Sequence, residues 1–268
     1  SPLGELQGGR DLPVVFELSS WRLEALQEKK LSPHIAVATS IYKDHLNTYT
    51  SYEEYIDTKK QIINNQTETD IAILNADDEI IRTWEYEVHG ELYWFSLEKL
   101  GRNKRGIFVD GDTVAVSVPS PVLGEGEDEG KLVAMNAPHP LPLPHWERGT
   151  TQTISAISDI PHTSPHELRN KLPAILIGIL RGAEISTIIQ ALQNAPQLKH
   201  RLQLVKTIND VSYINDSAAT MPDATIAAIT TYSNKPLILI LGGSDKALEF
   251  EALAEAILLL KKDSGLKE

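Results

Sequence analysis

The residues best suited to chemistry in this chain fall just after its apolar runs. Glu17 and Ser19-Ser20 follow one run, and Thr39, Ser40, Asp44 and His45 follow a second. Asn215-Asp216-Ser217 and Gly242-Gly243-Ser244-Asp245-Lys246 close two more. In an open parallel sheet, ligands sit beyond the carboxyl ends of the strands, so polar residues collected there point to a binding crevice. A carboxylate with an imidazole, here Glu17 and His45, suits a divalent cation, which an acidic chain needs to hold polyphosphate. Lys59 stands on the helix that follows the second run. Taken singly, each has a plainer reading. Glu17 fits an ordinary strand-end carboxylate, Asp44-His45 a surface turn, Lys59 beside Lys60 a solvated helix face, and Gly242-Gly243 a tight strand exit. Their convergence on successive strand ends tips the balance modestly toward a site.

The elements that would position them are legible from periodicity. Residues 11–18 read as a short buried strand, 21–30 as a helix with serine caps, and 34–41 as a second strand buried on both faces. Ser51-Tyr52-Glu53-Glu54 fits a capping box and predicts a helix to about Asn65, followed by a strand over 70–75. That spacing of strands and helices predicts a parallel sheet with right-handed crossovers. Residues 82–118 alternate polar and apolar around His89-Gly90 and Asp110-Gly111, predicting an antiparallel meander. Residues 119–151 are rich in proline and acidic residues and read as a low-complexity insertion. Helices over 166–180 and 185–192, a hairpin over 202–208 and 211–215, a helix over 222–232, a buried strand over 237–241 and a helix over 248–262 complete the pattern. A domain boundary is placed near residues 197–201. The fold class is therefore α/β, with a mostly parallel sheet and an antiparallel meander, followed by a partial second α/β unit.

Composition bounds the function. The chain has 268 residues and a net charge of −12, which argues against non-specific nucleic-acid binding but not against a phosphorylated ligand held by a few cations. It has no cysteine, which excludes disulfides, thiolate metal sites and cysteine nucleophiles and fits a reducing cytoplasm. No apolar stretch is long enough for a bilayer, and the first residues lack the pattern of a secretory signal. Hydrophobic residues at 41% are enough to fill a core.

Glu17-Leu-Ser-Ser-Trp-Arg-Leu-Glu24, then residues 32–46 and 51–59, resemble the ATP-dependent Mur ligases of peptidoglycan synthesis. The first run is most similar to the branch that adds D-glutamate. A second block, Lys199-His-Arg-Leu202, Tyr213-Ile-Asn-Asp-Ser217 and 239–246, agrees in order and spacing. Two separated blocks in the right order are more specific than a lone motif. The resemblance covers 11–75 and 198–250 and is weak between them. It implies a three-domain ligase, with residues 1–197 from the central ATP-binding domain and 198–268 from a Rossmann-like C-terminal domain. The implied reaction joins UDP-N-acetylmuramoyl-L-alanine to D-glutamate through an acyl phosphate, with ATP and magnesium as cofactors, in a cytoplasmic monomer. Position by position, it implies that Glu17, His45 and a carbamylated Lys59 hold magnesium. Asn170, Arg201 and Asp216 would face the nucleotide, and Ser19, Thr220 and Lys246 the substrates.

The departures matter as well. These 268 residues contain no Gly-x-x-Gly-Lys-Thr loop, which the family places upstream of Glu17, so the chain alone is expected to be inactive. Ala218 stands where a lysine is expected, Met221 and Glu167 where asparagines are, and Asn47 where an aspartate is. Two alternatives stay open. One is another amide ligase of the Mur and folylpolyglutamate type; the other is a degenerate, non-catalytic nucleotide-binding fragment.

Overall fold

Ile71–Asn75 (β2) is buried along its whole length because both of its faces are covered. Side chains alternate across a strand, so its odd and even positions enter different cores. Ile71 and Ile73, with Tyr93, Phe95 and Ile107, pack against Leu168, Leu172, Ile175 and Leu176 of the helix Pro165–Leu180 (α4). Ala72 and Leu74, with Ala36 and Trp94, pack against Tyr55 and Ile63 of Tyr52–Asn64 (α2) and Ile81 of Glu79–Thr83 (α3). The result is a three-layer α/β sandwich. The computed structural model describes residues 13–42, 48–101, 103–118, 150–161, 164–244 and 248–263.

The main sheet has six strands in chain order: Ile35–Ala38 (β1), β2, Glu91–Ser96 (β3), Gly106–Asp110 (β4), Thr113–Val118 (β5) and Thr150–Ala156 (β6). The first four run parallel, β5 pairs antiparallel with β4, and β6 pairs antiparallel with β5. The mostly parallel α/β class is therefore as the sequence indicates. Ser51 caps α2 as expected, its hydroxyl accepting from the Glu54 N–H at 3.1 Å, while the Glu54 carboxylate accepts from the Thr50 N–H at 2.7 Å.

Four expectations are corrected. Residues 13–18 pair with no strand, and Val15 and Phe16 are 92% and 63% exposed. A buried strand needs a ladder and a covering layer, and among the described residues neither stands outside β1. For the same reason β1 is an edge strand, buried only at alternate positions. The region 82–118 is no simple meander. Its start is α3 and a 3-10 turn, Trp84–Glu87, with Trp84 in the core, and β3 and β4 run parallel to β2. Gly90 is a close backbone approach rather than a hairpin turn: an added Cβ there would sit 2.1 Å from the Asp70 carbonyl oxygen. The insertion is shorter than expected, since Thr150 and Thr151 pair with Val118 and Ser117 in the β5–β6 ladder; residues 119–149 lie outside the described residues.

Ile185–Asn194 (α5) sends Ile188 into the core that α4 covers, and a separate two-stranded hairpin follows, Gln203–Ile208 (β7) and Val211–Asn215 (β8). Asn209 and Asp210 turn it with φ of 48° and 62°, the positive values a two-residue type I′ turn requires. Pro222–Thr231 (α6) and Glu251–Asp263 (α7) follow. The strand expected over 237–241 is absent: Ile238 and Ile240 are 86% and 90% exposed, because the hairpin pairs only with itself and offers no neighbouring ladder. Among the described residues no helix is long and apolar enough to cross a membrane.

Candidate functional site

The carboxyl ends of β1, β2 and β3 are tied together by short polar side chains. The Asn75 side-chain amide donates to the Thr39 carbonyl at 2.6 Å, and its oxygen accepts from the Asp77 N–H at 2.9 Å. Asp77 then accepts from the Ser96 hydroxyl at 2.5 Å and the Leu97 N–H at 2.9 Å. Asp78 caps α3 through the Ile80 and Ile81 N–H groups and also accepts from the Ile41 N–H at 2.8 Å. These bonds fix the strand exits, the region where an open sheet binds ligands. Arg169 of α4 reaches the same place, with its Nε 3.9 Å from an Asp77 oxygen.

A second group of charges adjoins the first turn of α4. His166 is half-buried and feels the charges of Glu167, Arg169, Arg201 and Asp216. Arg201 and Asp216 meet here through the backbone: the Asp216 carboxylate accepts from the Leu202 N–H at 2.9 Å, and the Ala218 N–H donates to the His200 carbonyl at 2.9 Å. His200 and Leu202 hold φ of 65° and 43°, so the loop turns sharply around Arg201. The Ser164 hydroxyl bonds to Glu167 at 2.5 Å rather than capping α4. Tyr232, after α6, lies near Glu167 and Asp216; burial, then those carboxylates, push its phenol up. Lys171 donates to the Pro161 carbonyl, and burial lowers its ammonium although Glu167 opposes the shift.

Burial is the largest influence on His166 and holds its imidazole below the usual value of 6.5. The sign then follows: below 6.5 the unfolded chain binds a proton that the folded chain resists, so stability falls as pH drops through that window. Melting at pH 7.5 and 5.5 is expected to show a smaller loss for His166→Gln than for the parent. Equal losses would remove His166 as the source.

The predicted site residues divide into three sets. Arg201 and Asp216 are brought together, and Asn170 lies on α4 one turn beyond His166, exposed. Glu17 is exposed on the unpaired segment before Ser20–Lys29 (α1), and its carbonyl accepts from Arg22. Ser19 holds the N-cap position of α1 without a capping side-chain bond. Lys59 is half-buried with its Nζ 5.6 Å from the Tyr55 ring; that ring lies 5.4 Å from Tyr49, which bonds to Ser20. Thr220 is exposed just before α6. His45 and Lys246 lie outside the described residues. Within the described residues no three His, Asp or Glu side chains cluster at metal-ligand spacing. Glu17 and Lys59 alone do not complete the six-oxygen shell that magnesium demands. Asp77, Ser96 and Arg169 were not singled out from sequence. The Asn75-Ala76-Asp77-Asp78 run after a buried strand carried the signal for the aspartate.

Residues 7–120 match the Mur ligase middle domain. Over this stretch the chain is similar to Mur ligases. It is 34% identical to the UDP-N-acetylmuramoylalanine--D-glutamate ligase of Roseiflexus sp. (strain RS-1) over 252 residues, 91% of this chain and 47% of that protein. The enzyme of the same name from Symbiobacterium thermophilum is 31% identical, with 91% of this chain and 46% of that protein covered. The chain thus spans about half the length of the curated relatives it matches. In fold it is similar to the MurF ligase of Thermotoga maritima in complex with ADP, at TM-score 0.51 and 17% identity, covering 90% of this chain and 48% of that one. It is likewise similar to MurF from Acinetobacter baumannii, at TM-score 0.53 and 15% identity, covering 91% and 45%.

Proposed function

We propose that this chain is the nucleotide- and amino-acid-handling part of an ATP-dependent ligase that joins D-glutamate to UDP-N-acetylmuramoyl-L-alanine in peptidoglycan synthesis. Residues 1–197 belong to the central domain and 198–268 to the C-terminal domain, in a cytoplasmic monomer. The observation that supports this most is the meeting of Arg201 and Asp216 beside α4, fixed by the bond from Asp216 to the Leu202 N–H. A guanidinium there offsets phosphoryl charge, and a carboxylate accepts from ribose hydroxyls. Asn170 faces the same nucleotide, and Ser19, Thr220 and Lys246 face the substrates. The relatives named for D-glutamate support the substrate pair, and the ADP-bound neighbour supports the nucleotide.

Calorimetry of the 268-residue chain with ATP and magnesium tests the nucleotide reading. Binding that Arg201→Met weakens supports it; no binding, or binding the variant leaves intact, overturns it. For the amino acid, an intact enzyme carrying these residues should release phosphate with D-glutamate and not with L-lysine or meso-diaminopimelate.

Glu17, His45 and a carbamylated Lys59 hold magnesium in this reading, since carbamylation turns a cation into an anionic oxygen ligand. Lys59→Ala is expected to erase the dependence of ATP binding on magnesium while leaving the melting temperature within a few degrees. A magnesium titration that the variant does not change would exclude that role.

A further inference from the structure

Helix α4, 16 residues long, carries a proline in its interior, Pro173. Proline has no N–H, so the Arg169 carbonyl loses its usual donor four residues on, and the ring crowds that same carbonyl. The defect divides the helix. Beyond it, Ile175, Leu176, Ile179 and Leu180 are buried and anchor the second half in the core. Before it, Leu168 alone among residues 165–171 is buried. Ser164 leaves the first turn without a side-chain cap, and Lys171 ties it to the Pro161 carbonyl of the preceding loop rather than to the sheet. Yet this less anchored half bears Asn170, which faces the nucleotide in the reading above.

Its charged tie to the sheet is Arg169, whose Nε lies 3.9 Å from an Asp77 oxygen. Asp77 is held from three directions. Its N–H donates to Asn75 Oδ1 at 2.9 Å, and its carboxylate accepts from the Ser96 hydroxyl and the Leu97 N–H. Asn75 and Ser96 are themselves buried. A fixed anion at the exits of β2 and β3 thus stands opposite a cation on a loosened stretch of helix. Such a partly buried pair adds little net stability, but it selects one geometry over its neighbours. The other charges around this turn, on Glu167, Arg201 and Asp216, belong to the helix itself or to the second unit, so they give it no hold on the sheet.

We propose that Asp77 is a positioning residue for the nucleotide site, holding the first half of α4 through Arg169 so that Asn170 stands at a set place over the strand exits. This deepens the nucleotide reading of the same site and rests on it. Asp77 acts through the helix and does not touch the ligand.

Two measurements on the 268-residue chain test it: amide hydrogen exchange along α4, and calorimetric titration with ATP and magnesium. Asp77→Asn keeps an oxygen for the Leu97 N–H and removes the charge opposite Arg169. It is expected to speed exchange over residues 168–172 about fivefold, to leave 175–180 unchanged, and to weaken ATP about fivefold, the scale of one coupled pair. Arg169→Met should do the same, and it serves if Asp77→Asn does not fold. The two changes together should weaken ATP no further, while Arg169→Lys should stay within about twofold of the parent. Pro173→Ala restores the missing N–H, so in that background Asp77→Asn should alter ATP affinity by less than about twofold. Unchanged exchange over 168–172 overturns the tie. Faster exchange with ATP affinity unchanged overturns the positioning role and leaves the nucleotide reading standing. Additive losses, or a loss that Pro173→Ala does not relieve, overturn it as well. Failure of the parent to bind ATP overturns the nucleotide reading and this proposal with it.

Discussion

Asp216→Ala is expected to cut ATP affinity by about 100-fold, more than any other single change in the second unit. Two losses coincide. The carboxylate offered to the ribose disappears, and so does the acceptor that holds the Leu202 N–H at 2.9 Å. Leu202 is buried at φ 43°, a strained conformation that persists only while its surroundings hold it. Released, the loop no longer fixes Arg201 where a phosphoryl group would meet it. The stability cost should be about 1–3 kcal/mol, the price of an unmet buried N–H. Asp216→Asn separates the two effects, because an amide oxygen still accepts from Leu202 while the charge is gone. We expect the asparagine variant to melt like the parent and to bind ATP about tenfold more weakly. If the asparagine variant binds as tightly as the parent, Asp216 serves only the loop.

Gly106→Ala is expected to be the most damaging substitution in the central sheet, at about 4 kcal/mol or more, a large share of ordinary domain stability. Gly106 opens β4 at φ 152°, and a Cβ built there would lie 1.9 Å from the Trp94 carbonyl oxygen. The obstacle is backbone on a central strand, so no side chain can rotate away. Relief requires β3 and β4 to separate, which breaks the parallel ladder Trp94–Gly106, Phe95–Ile107 and Ser96–Phe108. Phe95, Ile107 and Phe108 are fully buried, so separation also opens the core. Urea unfolding followed by tryptophan fluorescence measures this, and a midpoint close to the parent's would show that the sheet adapts.

What the sequence revealed depended on how local the cause was. The capping of α2 and the turn at Asn209-Asp210 are decided by adjacent residues, and both appear as read. Strand β2 was legible because an uninterrupted apolar run leaves no other reading. Strand β3 was misread because Glu91 and Tyr93 give it an alternating pattern, while Trp94 and Phe95 fill both cores. Residues 13–18 and 237–241 failed for the opposite reason. Their apolar runs are typical of strands, but a strand exists only where a neighbour supplies the ladder. Arg201 and Asp216 were found through a family pattern, not through physics. Arg169 and Asp77 were out of reach, since nothing local in either residue names the other.

Strand β5 ends at Val118 and β6 begins at Thr150, and these two residues face each other across the ladder. The chain therefore leaves the sheet and returns to it at neighbouring points, whatever lies between them. Closing a connection between fixed neighbours costs free energy that grows only with the logarithm of its length. This corner is thus a tolerant junction, where genetic material can be gained, exchanged or trimmed over generations without disturbing the two cores. A fluorescent or affinity tag placed between Val118 and Thr150 would exploit the same tolerance, reporting on the protein while leaving its crevice alone.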